Sequence, residues 1–245
     1  MQSAREGPYF DLAMTYKKTA IIGCSVVALL AASPSATLFA QDYAEAARKG
    51  VELAKKKDYN GAAEEFGKAI KANPKAARHY ANRGKAYRAA GKLDDAEADF
   101  AKVIELEPKN ADALSERGKV RVSQKKYDEA IEDLSKAIDL DDDDVDSMRF
   151  RGFAHLSKQD FDKAIEDYSE VLEKKPKDVE ALRRRGFAYV SKGDKEKAKD
   201  DFEAVLKAKP NDEDATARLK ALESGTKTAA PGASPGTAGA PPGGR

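Results

Sequence analysis

The residues of this chain whose types and spacing suggest chemistry are charged and recur at a fixed interval. Lys49, Arg83, Arg117, Arg151 and Arg185 stand 34 residues apart, and 16 residues after each comes a carboxylate: Glu65, Asp99, Asp133, Asp167 and Asp201. Lysine goes with glutamate and arginine with aspartate, so a shorter acid meets the longer, forked cation. Matched pairs at a repeated spacing predict a structural ladder of partly buried ion pairs, within a unit or between neighbours, because such pairs combine charge attraction with directional hydrogen bonds. The competing reading, arginines that hold an anionic ligand, is disfavoured because each cation already has an acid of suitable length.

Other chemistries are poorly supported. Asp139, Asp141, Asp142, Asp143, Asp144 and Asp146 invite a calcium reading, but no frame supplies the mid-loop glycine and terminal glutamate of a helix-loop-helix site, which leaves a solvated turn. His79 and His155 have no cysteine or second histidine at helical spacing, against a zinc site. The single cysteine, Cys24, lies near the N-terminus, so the chain beyond about Ala40 has no disulfide or thiol chemistry. No glycine-rich phosphate cradle or nucleophile elbow is present. The expectation is a protein with no catalytic residues, no metal and no cofactor; an enzyme would need a pocket of clustered titratable groups. With 44 basic and 43 acidic residues, no whole-molecule field points toward nucleic acid or a membrane surface.

The elements that position the charges follow from the same interval. Units fall at 43–76, 77–110, 111–144, 145–178 and 179–212 in register without a gap. Position 8 of each is glycine (Gly50, Gly84, Gly118, Gly152, Gly186) and position 20 is alanine (Ala62, Ala96, Ala130, Ala164, Ala198), small residues that let antiparallel helices approach. Position 24 is Phe66, Phe100, Leu134, Tyr168 or Phe202, and position 28 is Ile or Leu, four residues on and on the same helix face. Proline at position 32 (Pro74, Pro108, Pro176, Pro210) ends each second helix. Asp142 replaces it in the third unit, where a less sharply defined turn is expected.

Over residues 43–212 these marks resemble the tetratricopeptide repeat, without tryptophan at position 4 and with Arg121 and His155 where a large apolar residue is usual. The resemblance implies an all-α, right-handed superhelical solenoid of helix-turn-helix units, whose first helices line a concave groove that binds a protein or peptide. Carried onto this sequence, the groove presents Arg78, Asn82, Lys85 and Arg88, then Ser115 and Lys119, then Arg149 and Phe153, and finally Arg183 and Phe187. Arginine beside phenylalanine at the far end points to an extended peptide with acidic and apolar groups; the plainer alternative is solvated arginines and phenylalanines packed on the adjacent helix. Some relatives grip a C-terminal carboxylate with a Lys and Asn clamp. Only Asn82 matches it, so that clamp is absent.

The stacked units need a cover. Residues 213–223 supply one, with Asp212 as N-cap, Ala215, Leu219 and Leu222 at helical spacing, and Gly225 to end it. From Ser224 to Arg245 the composition is that of a flexible Gly/Pro/Ala-rich tail. At the other end Lys17 and Lys18 precede an uncharged run from Thr19 to Ala32 and small residues up to Ala40, the order of a secretory signal over residues 1–40. The dense apolar part spans 14 residues, short of the ~20 that cross a bilayer, which favours cleavage after Ala40 over an uncleaved anchor. Met14 opens a compact signal and is a second candidate start; a precursor peptide from residues 2–13 excludes it. The expectation is a non-catalytic binding scaffold in the periplasm or envelope, or secreted. The alternative is a membrane-anchored adaptor that keeps its N-terminal helix. Neither reading fixes the partner or the oligomeric state.

Overall fold

A computed structural model of the chain describes residues 34–225, with side chains from Ala44 onward. The described residues form helices α1 (Pro34–Lys55), α2 (Tyr59–Ala72), α3 (Ala77–Ala89), α4 (Leu93–Leu106), α5 (Ala111–Ser123), α6 (Tyr127–Leu140), α7 (Val145–Ser157), α8 (Phe161–Lys174), α9 (Val179–Lys192), α10 (Lys195–Ala208) and α11 (Glu213–Ser224), and no strand. Each helix packs chiefly on its sequence neighbours, with lighter contact between the first helices of successive units. That is the all-α repeat fold, in which no unit can bury its apolar face alone.

Two small residues set the approach of each helix pair. Ala62, Ala96, Ala130, Ala164 and Ala198 are completely buried. A methyl group added at Gly84 would lie 3.1 Å from the Phe100 ring, and one at Gly118 would lie 2.6 Å from Leu134. The bare backbone is therefore the seat for the large side chain at position 24.

The first helices of the units end in residues with left-handed backbone. Two are glycine (Gly91, φ 76°; Gly193, φ 84°), but Lys57 (φ 63°), Lys125 (φ 62°) and Gln159 (φ 64°) adopt it as well. Four of the five turns that lead into a following first helix carry an acid or amide cap: Asn110, Asp144, Asp178 and Asp212 accept from the backbone N–H of Ala113, Ser147, Ala181 and Ala215. The expected loosening at Asp142 is not found. Asp144 N–H donates to Asp141 O at 3.2 Å, as Asn110 N–H does to Glu107 O at 3.0 Å beside Pro108. The Asp141 side chain also accepts from Asp143 N–H at 3.1 Å, and this local turn takes over the role of the missing ring.

The buried core is uneven. A continuous cluster runs from Val145 through Tyr168 and Phe202 to Ala215, whereas the first units hold small separate clusters around Phe66, Val103 and Phe100. Helix α11 stands where a sixth first helix would, with Leu219 at the place of the recurring cation and Lys220 at the place of the recurring glycine. Ser224, expected to begin the tail, is its last helical residue, and Gly225 closes it at φ 71°. The first helix begins at Pro34, ahead of the expected array start at residue 43. The rest of the signal segment and the tail from 226 lie outside the described residues.

Glycine at Lys125 and at Gln159 relieves a left-handed conformation that costs a residue with a Cβ about 1 kcal/mol. Each of Lys125→Gly and Gln159→Gly is expected to raise the urea midpoint accordingly; a lowered midpoint for both would show that the turn is not strained.

Candidate binding groove

The cations at position 7 and acids at position 23 meet within each unit. Arg83 donates from Nε and Nη2 to the two oxygens of Asp99 at 2.8 and 2.7 Å, Arg117 likewise to Asp133 at 2.7 and 2.7 Å, and Arg185 to Asp201 at 2.9 and 2.7 Å. Lys49 Nζ reaches Glu65 at 2.7 Å. Because the residues flank the glycine and ring contact, the acids are buried, and each pair ties the two helices of one unit. Position 11 leans on the same rung: Tyr87 and Tyr189 lie under Arg83 and Arg185, and Arg121 gives Asp133 a second guanidinium at 2.8 Å.

The fourth rung differs. Arg151 places both donors on Asp167 Oδ1, at 2.9 and 2.6 Å, and Asp167 Oδ2 is buried without a protein donor. Burial pushes the Asp167 carboxyl up to about 6, with Arg151 opposing and Glu170 and Glu166 adding to the rise. His155, buried beside this rung, is pushed down, chiefly by burial, with Asp160 opposing.

The groove residues divide into a closed half and an open half. Arg149 is taken up by Asp146 (2.9 Å) and by the cap residue Asp178 (2.8 Å). Arg183 is taken up by Glu180 (2.9 Å) and the cap residue Asp212 (2.6 Å). Phe153 lies beneath Arg184, 4.7 Å from ring centre to guanidinium, and Phe187 beneath Arg218 at 5.7 Å; Glu180 and Asp214 hold those two arginines. The arginines at this end are thus neither solvated nor free for a ligand. In the middle, Arg88 and Lys119 both face Glu116 at 3.1 and 3.3 Å. Ser115 is buried with its hydroxyl 2.7 Å from that of Ser147, inside a staple in which Asp144 accepts from Ser147. Burial opposes charge on Asp144, but bonds from Ser147 prevail and hold its carboxyl below the ordinary value.

Toward α1 the groove opens. Arg78, Asn82 and Lys85 on α3 make no side-chain hydrogen bond or ion pair with a described residue. They line a cleft of about 220 Å³ between α3 and α5, with Glu107, Asp112 and Glu116 on its far wall. Asn82 and Lys85 also border a second cleft, of about 360 Å³, between α1 and α3. Lys55 of this second cleft escaped the sequence reading, as did a set of stitches between units: Gln124 to Asp94 at 2.8 Å, and Lys158 to Asp128 and Lys192 to Asp162. The repeated spacing of 30 residues is the signal that could have revealed those stitches.

Two family profiles, both described as tetratricopeptide repeat, match residues 47–104 and 81–145 in one case and 152–223 in the other. The chain belongs to the tetratricopeptide repeat family. Tetratricopeptide repeat proteins are in general non-catalytic scaffolds that bind protein or peptide partners. A crystal structure of the MamA protein is similar, at 27% identity over 70% of this chain and 93% of that one, with a TM-score of 0.66. YrrB, described as a TPR protein with an unusual peptide-binding site, shares 22% identity over 71% and 90% of the two chains, with a TM-score of 0.64. A tetratricopeptide repeat protein from Parabacteroides merdae shares 22% over 75% and 74%, with a TM-score of 0.67. No curated protein matches the chain significantly.

The fourth rung has a measurable pH signature. Asp167 titrates higher folded, about 6, than its ordinary 3.8, so the fold binds a proton that the open chain has released in that window. Its contribution to stability is complete below about 4 and disappears as pH rises through 6. In urea unfolding from pH 4 to 7, wild-type stability relative to Asp167→Asn is expected to fall; a difference that stays flat or rises refutes the assignment.

Proposed function

We propose that this protein is a non-catalytic scaffold of the periplasm or cell envelope, or a secreted one, that holds an extended segment of a protein partner along the half of its concave groove formed by α1, α3 and α5. The observation that carries the reading is the contrast between the two halves. From α7 onward the groove's arginines are saturated by the chain's own acids, while Arg78, Asn82 and Lys85 present unused donors beside two adjoining clefts. Buried polar groups that are already paired add little on contact with a ligand, whereas exposed ones next to apolar floor gain both contact and charge. The peptide-binding site described for YrrB supports a peptide ligand by analogy of fold. Export is supported by the charged, apolar, small-residue order of residues 17–40.

One observation favours a second reading, a tethered adaptor that keeps its N-terminal segment. Helix α1 runs unbroken from Pro34 through Ala40 to Lys55. Among the described residues no helix is long and apolar enough to cross a membrane, so an anchor would draw on the residues before it. N-terminal sequencing of the exported protein separates the two: Gln41 at the start supports the free scaffold, and an intact segment supports the tether.

The groove is tested by placing a photo-crosslinking residue at Val51, Lys85, Phe187 or Lys136. Partner adducts are expected from Val51 and Lys85. Adducts only from Lys136 on α6, or equally from all four positions, would refute the placement.

A further inference from the structure

Building on that groove reading, we propose that the cleft between α1 and α3 receives an internal partner segment in which an acidic residue stands directly beside a bulky apolar one. The floor of the cleft is apolar, formed by Val51, Ala54 and Phe66, and its rim carries Lys55, Asn82 and Lys85. Among the described residues no acidic side chain lines it. Both lysines are exposed and have no ion pair with a described residue. Val51 is 40% exposed, and among the described residues only Leu140 is a comparably open large apolar side chain.

The later units show which group completes such a set. There the apolar residue equivalent to Val51 is Phe153 or Phe187; a cation, Arg184 or Arg218, covers it, and an acid, Glu180 or Asp214, holds the cation. The chain supplies all three members at those places. At the first cleft Asn82 stands at the place of the covering cation and Arg78 at that of the acid; the cations are Lys55 and Lys85 on the rim, and no described acid lies among the lining residues, so charge complementarity assigns the acid to the partner. A bulky apolar neighbour on the same segment covers Val51 and Ala54, an arrangement in which ordering one short stretch satisfies both demands.

Two features make the segment internal and oriented. The trough does not stop at this cleft, since Asn82 and Lys85 continue into the one between α3 and α5. A side-chain amide carries both a donor and an acceptor, which suits a peptide main chain running past Asn82. The far wall of the next cleft carries Glu107, Asp112 and Glu116, so a second acid is disfavoured about three residues on, the length of extended chain that spans one ~10 Å helix spacing.

The test is selection of random dodecapeptides displayed on phage against the full chain, followed by fluorescence anisotropy with the selected peptides made in amidated form. Enrichment of Asp or Glu next to Leu, Ile or Phe is expected. The amidated peptides should bind at least tenfold more weakly to Lys55→Glu/Lys85→Glu, and equally well to Lys195→Glu on α10. Peptides that bind in the trough, as judged by loss with Val51→Trp, but lack the acid would overturn this proposal and leave the groove reading standing. Peptides indifferent to both Val51→Trp and Lys55→Glu/Lys85→Glu would overturn both. A requirement for a free C-terminal carboxylate would overturn the internal segment, and no enrichment at all would overturn the proposal.

Discussion

Each unit is closed by a large side chain pressed against helix backbone that has no side chain of its own. Phe66 at Gly50, Phe100 at Gly84, Leu134 at Gly118, Tyr168 at Gly152 and Phe202 at Gly186 leave no room even for a methyl group without displacement. That contact fixes how near the two helices lie, and so decides that the flanking cation and acid face each other across the seam. Charge pairs in such places are not themselves a strong source of stability, because desolvation offsets most of the attraction. Their role here is directional: a guanidinium fork that fits a carboxylate in one register penalises a helix that slides or rotates.

With the pairs fixed inside units, a separate set of polar contacts joins one unit to the next. In the later units these contacts consume the groove side chains. Arg149 and Arg183 bind the residues that cap the following helix, and the same end contains the continuous apolar core. The earlier units lack that bracing: Ala81 stands where Arg149 and Arg183 occur, and Ala76 caps α3 without a side-chain bond. One half of the molecule is therefore braced and filled, and the other is open with donors to spare.

The sequence made the array legible because its signals are local and recur. Helix pairs, the ring and glycine seat, the C-terminal cover and the matched lengths of the charged pairs can all be read from a 34-residue comparison. The division of the groove could not be read in that way. Arg183 beside Phe187 has the composition of a contact surface, and Asp212 has the signature of a helix cap. Only the packing shows that Asp212 performs both tasks, capping α11 and binding Arg183. The open half is defined by cations that lack partners among the described residues, and a lack of partners has no sequence signature. Asp142 shows the reverse case: the proline was missing, yet a neighbouring aspartate supplied the turn by a bond that residue type alone does not announce.

The last described helix carries a consequence for how this architecture can lengthen. Lys220 occupies the site where every earlier counterpart is bare, and Leu219 has no charge to offer an incoming acid. A second helix placed behind α11 would find neither a seat for its ring nor a rung to grasp on it. Tandem duplication can therefore extend the solenoid only by insertion ahead of this terminal block.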